Sequence, residues 1–524
     1  MTVVSLIAAG PGDPELLTLR ASALLAAADT VVCDADSVEL ARVAAGPDSE
    51  VTVAIDDDGL PLAHRDRAKL VAEHANAGRR VVRLLSGDPV IDGSLPIEVE
   101  ALTTEQVEFE IIPGVSTLNG VPAYAGFSLT GGRAREIAVI DANDTDINWE
   151  IHARPRVTLV VQNGADRAAD LAAELIKAGR PSWTPIAITR AGTTIDQRTI
   201  VSTLVDIPKV LKSAKQSGPG LVVIGEVVLQ REMMSWFETK PLFGWRVLVP
   251  RTKEQAASLS EQLRGYGAVP VEVPTISVEP PRTPQQMERA VQGLVTGRYE
   301  WICFTSTNAV RAVCERFATY GLDARSFAGL KVAAIGEQTA KALVEFGVTP
   351  DLVPSGDQSS LGLLEDWPEY DALVDPINRV FLPRADIATE TLVAGMKERG
   401  WEVDDVTAYR TVRAAPPAAE IREAIKTGGF DAVLFSSSST VRNLIGIAGK
   451  PHATTVIACI GPQTASTAEE HGLTVDVLAD KASVAVLAEN LAAHGDSLRL
   501  AALEAGEASW RPSRRRPASR RRAT

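Results

Sequence analysis

Cysteine is scarce in this chain, with four in 524 residues: Cys33, Cys303, Cys314 and Cys459. They are scattered, with none of the short spacings by which thiolates share a metal. Three lie in or beside apolar runs, where cysteine serves as a small core hydrophobe. Neither a disulfide framework nor a zinc site is expected. The six histidines form no cluster either, so no metal is expected. No apolar run reaches the roughly 20 residues that cross a bilayer, and no basic stretch precedes an apolar one at the start. The expectation is a cytoplasmic protein with no membrane partner. The formal net charge of −14 speaks against a general affinity for nucleic acid. No G-x-G-x-x-G follows a predicted strand, which argues against a Rossmann dehydrogenase.

What is present is an ordinary globular composition, 45% hydrophobic and 23% charged, in a chain too long for one core. Composition breaks near 236–245, in WFETKPLFGW, and again at about 496. These breaks give three expected segments: an α/β domain over 1–240, a second domain over 241–495, and a tail over 496–524. The tail ends in RPSRRRPASRRRAT. That stretch is basic and nearly free of apolar residues, so the tail is expected to be disordered.

The second domain repeats itself. GWRVLVPRTKEQAASLSEQLRGYG at 244–267 returns as NRVFLPRADIATETLVAGMKERG at 378–400. WICFTSTNAVRAVCERF at 301–317 returns as AVLFSSSSTVRNLIGIA at 432–448, and KVAAIGEQTAKALVEFGV at 331–348 as TVIACIGPQTASTAEEHGL at 455–473. Each unit is an apolar run, a polar loop and an amphipathic helix. Repeated strand–loop–helix units predict two parallel α/β lobes, whose ligands bind at the carboxyl ends of the strands. Two period-two stretches with flanking prolines, VEVPTISVEPP at 271–281 and VDDVTAYRTVRAAPP at 403–417, read as a two-stranded connector. Lobe one is then 244–275 with 416–495, and lobe two is 281–405.

These motifs, in this order, resemble uroporphyrinogen-III synthase over about 244–495. The carriers are VLVPR, the VEVPTISVEP connector, CFTSTNAVRAV, AAIGEQTAKAL, the AYRT connector, VLFSSSSTVRNL and ACIGPQTASTA. The resemblance implies cyclisation of hydroxymethylbilane with inversion of its last pyrrole ring and loss of water, without a cofactor. That substrate carries eight carboxylates, and helix N-termini offer free N–H groups and a favourable dipole to anions. Thr305, Ser306, Thr307 and Asn308 are therefore candidate substrate contacts, as are Ser436, Ser437, Ser438, Ser439 and Thr440. Gln338, Thr339, Gln463 and Thr464 occupy the same place in the later units, and Arg251 and Arg384 end the two VLVPR-type strands. Helix capping is the commoner use of a single serine or threonine. Five consecutive hydroxyl residues at 436–440 exceed what one cap needs. Tyr409, in the connector, is the candidate catalytic group, because a departing hydroxyl needs a donor and a phenol donates at neutral pH. The resemblance also places the family's tyrosine there.

The first 235 residues contain VVSLIAAGPGDPELLTLRASALLAAADTVVCD, VVRLLSGDP, IIPGVSTLNGVPAYAGFSLT and TPIAITRAGTTIDQRTIVSTL. In this order they resemble the uroporphyrinogen-III C-methyltransferases, S-adenosylmethionine enzymes with two α/β lobes. The resemblance implies cofactor positions at Pro11, Gly87, Asp88, Ser116, Thr117, Asn163 and Gly192, a catalytic Asp34, and a homodimer through this domain. Several polar motifs depart from the family. A Gly-Lys-Arg loop is expected where Ala54, Ile55 and Asp56 stand, followed by Asp57 and Asp58. Added carboxylates repel an octa-anionic methyl acceptor. A degenerate methyltransferase domain that still binds S-adenosylmethionine is expected. Two alternatives stay open: a bifunctional enzyme that also makes precorrin-2, and a non-catalytic sensor built on both folds.

Overall fold

The computed structural model describes residues 3–214, 217–251, 253–387, 390–507 and 509–514, without the side chains of 253–255. The chain forms two compact units. The first comprises Met1–Arg246 with Ser260–Pro270 and Ala488–Arg514, and the second includes Val247–Leu259 and Val271–Leu487.

The first unit holds two five-stranded sheets. One runs Glu50–Val53, Thr30–Cys33, Val81–Leu85, Val4–Ala8, Phe109–Ile112, with every pairing parallel. Its central strands Val4–Ala8 and Val81–Leu85 are buried along their whole length. Continuous apolar runs such as VSLIA suit a parallel sheet covered on both faces. The second sheet runs Glu136–Asp141, Val157–Gln162, Gly220–Ile224, Pro185–Arg190, Arg198–Thr203. Only its first pair is parallel, and the other three are antiparallel. Each sheet brings the carboxyl end of its first strands to a polar loop, GPGD in one and QNG in the other.

The repeat folds as two further sheets, whose strands belong to the second unit except at Arg246, Val269 and Pro270. Lobe one is ordered Val269–Glu272, Arg246–Val249, Ala432–Phe435, Val456–Cys459, Val477–Leu478. Lobe two is ordered Ile276–Glu279, Glu402–Arg413, Arg379–Ala385, Trp301–Phe304, Lys331–Ala334. The repeated strands Trp301–Phe304 and Ala432–Phe435 are wholly buried and lead into helices Thr307–Thr319 and Ser438–Ala448. The connector is the expected pair of strands, with Ile276–Glu279 antiparallel to 410–413. Ile276–Glu279 already belongs to the sheet of lobe two, five residues before the expected start at 281.

The long connector strand Glu402–Arg413 carries a bulge. Arg384 pairs with Thr407 but Ala385 pairs with Tyr409, so Ala408 is the extra residue. A bulge breaks the alternation of faces. Ala408 and Tyr409 are consecutive, yet both are buried in the core beneath lobe two.

The tail is corrected in part. The expected disorder from 496 does not hold, because a helix runs from Val484 to Glu504 and a short 3-10 turn covers Pro512–Arg514. Trp510 donates its indole N–H to the carbonyl of Pro241 at 3.0 Å, and Arg511 lies 3.7 Å from Asp196. The hydrogen bond and the ion pair were hidden by the run of arginines beside them. The arginines of 515–524 lie outside the described residues. Among the described residues, no helix is long and apolar enough to cross a membrane, and no group of side chains could hold a metal ion.

Candidate functional site

In the second unit, two open cavities share a wall. The larger, about 1060 Å³, is lined by Arg251, Thr307, Asn308, Arg311, Gln338 and Lys341 among others. The smaller, about 290 Å³, is lined by Asn308, Arg311, Glu315, Arg316, Ala408 and Tyr409 among others. Val278 of the connector, Asn308 and Arg311 belong to both. The helix that supplies Asn308 and Arg311 begins at Thr307 because Ser306 caps it, accepting the N–H of Ala309 at 3.2 Å. The same Ser306 hydroxyl shares a hydrogen bond of 3.0 Å with the Tyr409 hydroxyl. Tyr409 is 7% exposed, so its ring packs in the core and its phenol edge reaches the small cavity. Arg251 is half-buried at the rim of the large cavity, and burial pushes its pKa down. Cys314 lines the same cavity, and burial pushes its thiol up to about 11.

Other candidates take structural roles instead. Arg384, the repeat counterpart of Arg251, is 5% exposed. Its Nε donates to Asp405 at 2.6 Å and its Nη2 to Glu390 at 3.1 Å. Those carboxylates raise its pKa, with Asp405 the main cause. Arg384 therefore ties its strand to the neighbouring one through Asp405. Thr339 and Thr464, equivalent in the repeat, are both 4% exposed and face the core, not solvent. Gln338 and Gln463 beside them are exposed, and Gln338 lines the large cavity.

The hydroxyl run at 436–440 is largely consumed locally. Ser437 and Thr440 form a reciprocal capping box. Ser437 and Ser439 share a hydrogen bond of 2.9 Å. Ser438 donates to the carbonyl of Gln463 at 3.1 Å and accepts from Thr467 at 2.9 Å. Ser436 is half-buried at the strand end. One cap plus one tie to the next helix accounts for most of the five.

In the first unit, the residues matched to a cofactor site converge. Gly10 bridges to Gly87, and a Cβ on Gly87 would meet only the Thr117 methyl, at 3.9 Å. A backbone bared to open space in this way lets a ligand approach closely. Pro11 packs on Gly120, where a Cβ would lie 2.8 Å from the proline ring. Gly192 is required by close approach, since a Cβ there would lie 2.5 Å from Val121. Asp13 of the GPGD turn accepts the Tyr124 hydroxyl at 2.9 Å, and its N–H donates to Thr193 Oγ1 at 3.0 Å. These bonds tie the turn to the loop that holds Gly192. Burial and then Asp13 raise the pKa of Tyr124. Ser116 caps its helix by accepting the N–H of Leu118 at 3.2 Å. Asp88 accepts the N–H of Val90 at 3.3 Å. Asn163 sets its amide on both oxygens of Asp141 at 3.1 Å.

Asp34 sits in a charge network that sequence reasoning missed. It accepts from Arg83 at 2.6 Å, from Arg67 at 3.2 Å and from the Ser86 N–H at 3.0 Å. Glu98, 1% exposed, takes Arg67 at 3.1 Å, Arg83 at 3.2 Å and His64 at 3.0 Å. Burial opposes the charge of Arg83, and Glu98 with Asp34 more than offsets it, so its pKa rises. Asp34 thereby holds the turn that ends in Gly87 and Asp88. The acidic run has a local cause as well. Asp56 accepts the N–H groups of Asp58 at 3.0 Å and Leu60 at 2.8 Å, and closes an exposed turn on Gly59.

Residues 257–489 match the family described as Uroporphyrinogen-III synthase HemD, and residues 3–208 match the Tetrapyrrole (Corrin/Porphyrin) Methylases. The chain is 30% identical over 504 residues to the Porphyrin biosynthesis protein HemD of Ruminiclostridium josui, covering 93% of this chain and 97% of that protein. It is 31% identical over 359 residues to the Uroporphyrinogen-III C-methyltransferase of Bacillus subtilis, covering 66% of this chain and 72% of that one. A Uroporphyrin-III C-methyl transferase of Thermus thermophilus, solved with S-adenyl homocysteine, is 31% identical over 43% of this chain and 99% of its own, with a TM-score of 0.37. The chain belongs to the uroporphyrinogen-III synthase family, in the form that carries a tetrapyrrole methylase domain ahead of the synthase, and is an enzyme of tetrapyrrole biosynthesis.

Proposed function

We propose that the second unit cyclises hydroxymethylbilane to uroporphyrinogen III, inverting the last pyrrole ring with loss of water. The observation that carries this reading is Tyr409, hydrogen-bonded to Ser306 and lining one cavity that shares Asn308 and Arg311 with a larger cavity edged by cations. The cations draw an octa-carboxylate. The phenol donates a hydrogen bond to the departing hydroxyl, while Ser306, fixed as a helix cap, holds the phenol oxygen in place. The two cavities position the chain ends for ring closure, which supplies much of the rate by proximity. No cofactor takes part in this step. The test is turnover by the full chain, with the type III isomer as the product.

For the first unit we infer a methylase fold that binds S-adenosylmethionine and methylates uroporphyrinogen III slowly or not at all. The residues fit the cofactor: Pro11, Gly87, Asp88, Ser116 and Thr117 would hold it at the bared Gly10–Gly87 backbone, with Gly192 keeping the facing loop close. When bound, the cofactor supplies an electrophilic methyl group. The absence of a cationic loop at 54–58 supports weak acceptor binding. The bifunctional reading is favoured by one observation, the similarity to a protein named a C-methyltransferase across 66% of this chain. Labelled methyl transfer decides between the two. A homodimer through this unit is part of the proposal, and sedimentation tests it.

A further inference from the structure

Arg311 is a cation that the fold itself does not use. It is exposed on helix Thr307–Thr319, one turn in from the Ser306 cap. Among the described residues it makes no hydrogen bond and no ion pair. The helix offers Glu315 four residues on, the spacing at which opposite charges meet. That pair is not made, although Arg410 with Glu279 and Lys341 with Glu345 do pair around the same cavities, at 2.7 and 3.9 Å. An arginine near a helix N-terminus also gains nothing from the helix dipole. Its one distinguishing placement is the neck where the cavities meet, beside Asn308 and Val278.

The two cavities differ in size in an informative way. At about 290 Å³ against about 1060 Å³, the smaller has roughly a quarter of the volume of the larger. A linear tetrapyrrole divided at the neck would place one ring beside Tyr409 and three beyond it. Each ring carries carboxylates on short flexible arms. A guanidinium at the neck can take one of them through two parallel N–H donors, a geometry that a lysine does not reproduce.

We propose that Arg311 is a substrate-binding residue that grips a side-chain carboxylate of hydroxymethylbilane at the neck, and so fixes which ring occupies the small cavity beside Tyr409. The proposal rests on the synthase reading given above. The test uses the full chain and its R311Q, R311K and R311E variants. It reads kcat, KM and the type III to type I product ratio, corrected for spontaneous cyclisation. In parallel, calorimetry measures the affinity of each protein for the octa-carboxylate product, uroporphyrinogen III. R311Q is expected to raise KM and weaken product binding by about tenfold or more, the loss of a charge-assisted bond, with kcat changed less than about threefold. R311E should be worse than R311Q, R311K should fall between R311Q and wild type, and type I product should increase. The thermal midpoint of R311Q should not move, since the exposed side chain makes no hydrogen bond or ion pair among the described residues. Unchanged KM and unchanged product affinity in R311Q would overturn the proposal. A wild-type chain that gives no type III product would sink the synthase reading, and the calorimetric arm would still judge Arg311 by itself.

Discussion

Removing the Tyr409 hydroxyl separates packing from chemistry in this site. In Tyr409→Phe the ring keeps its place in the lobe-two core, and Ser306 keeps its cap on the Ala309 N–H at 3.2 Å. What is lost is the bond to Ser306 Oγ at 3.0 Å, so stability should fall by about 1 kcal/mol and no more. If the phenol donates to the departing hydroxyl, the transition state loses about 1–3 kcal/mol, which is roughly 5- to 150-fold in kcat. Ser306→Ala makes the complementary change. It removes both the cap and the phenol's partner, so it should cost more stability, about 1–2 kcal/mol, and less rate than Tyr409→Phe. The double variant should be no slower than Tyr409→Phe alone, because Ser306 acts on the chemistry only through the phenol. The assay is the initial rate of type III formation from hydroxymethylbilane, with isomers separated after oxidation. A kcat for Tyr409→Phe within twofold of wild type, in a folded protein, would reduce Tyr409 to a packing residue.

Three further outcomes follow from the geometry. Arg384→Met should lower stability by about 2 kcal/mol and leave KM unchanged. It strands Asp405, which retains 34% exposure and so escapes the full cost of a buried unpaired charge; chemical denaturation and steady-state kinetics check it, and a raised KM would return Arg384 to the substrate. Cys314 should be the first cysteine alkylated in the native protein, because the other three are buried. Its thiol is held up at about 11, so labelling should be slow at pH 7, should accelerate steadily toward pH 10, and should be blocked by uroporphyrinogen III; mass spectrometry of peptides reads all three effects, and labelling unaffected by product would place the ligand elsewhere. Gly192→Ala puts a methyl 2.5 Å from Val121 and should cost about 1–3 kcal/mol while weakening S-adenosylmethionine binding, which thermal unfolding and calorimetry measure. Wild-type affinity in that variant would remove the 191–197 loop from the cofactor site.

The repeat made the second unit legible, because strand–loop–helix order survives sequence drift when apolar runs and loop hydroxyls are all it requires. The connector was legible for the same reason, in its period-two pattern. What stayed hidden were partners distant in sequence. Arg251 and Arg384 look alike after their strands, yet Arg251 lines the large cavity while Arg384 is held by Asp405 on the neighbouring strand. The orientation of Tyr409 depends on one extra residue, Ala408, and an isolated break in alternation does not reveal which residue is the extra one. Thr339 and Thr464 read as loop hydroxyls, but one residue of helix rotation turns them inward. The local bonding of the serines at 436–440 was not legible either, for a capping box and one interhelix tie use most of them. Arg311 escaped notice because an arginine four residues before a glutamate looks like an ordinary surface pair. In the first unit the Gly-Pro-Gly-Asp turn, whose Gly10 bridges to Gly87, was legible from its glycines. The Arg67–Arg83–Glu98 network around Asp34 was not, since it draws on three separate elements.

The most direct test gives the purified full chain hydroxymethylbilane, with and without S-adenosylmethionine, and identifies the products. Uroporphyrinogen III should accumulate at the same rate in both, with little or no methylated product. Only the type I isomer would contradict the synthase assignment, and rapid conversion to precorrin-2 would contradict the degenerate reading of the methylase unit.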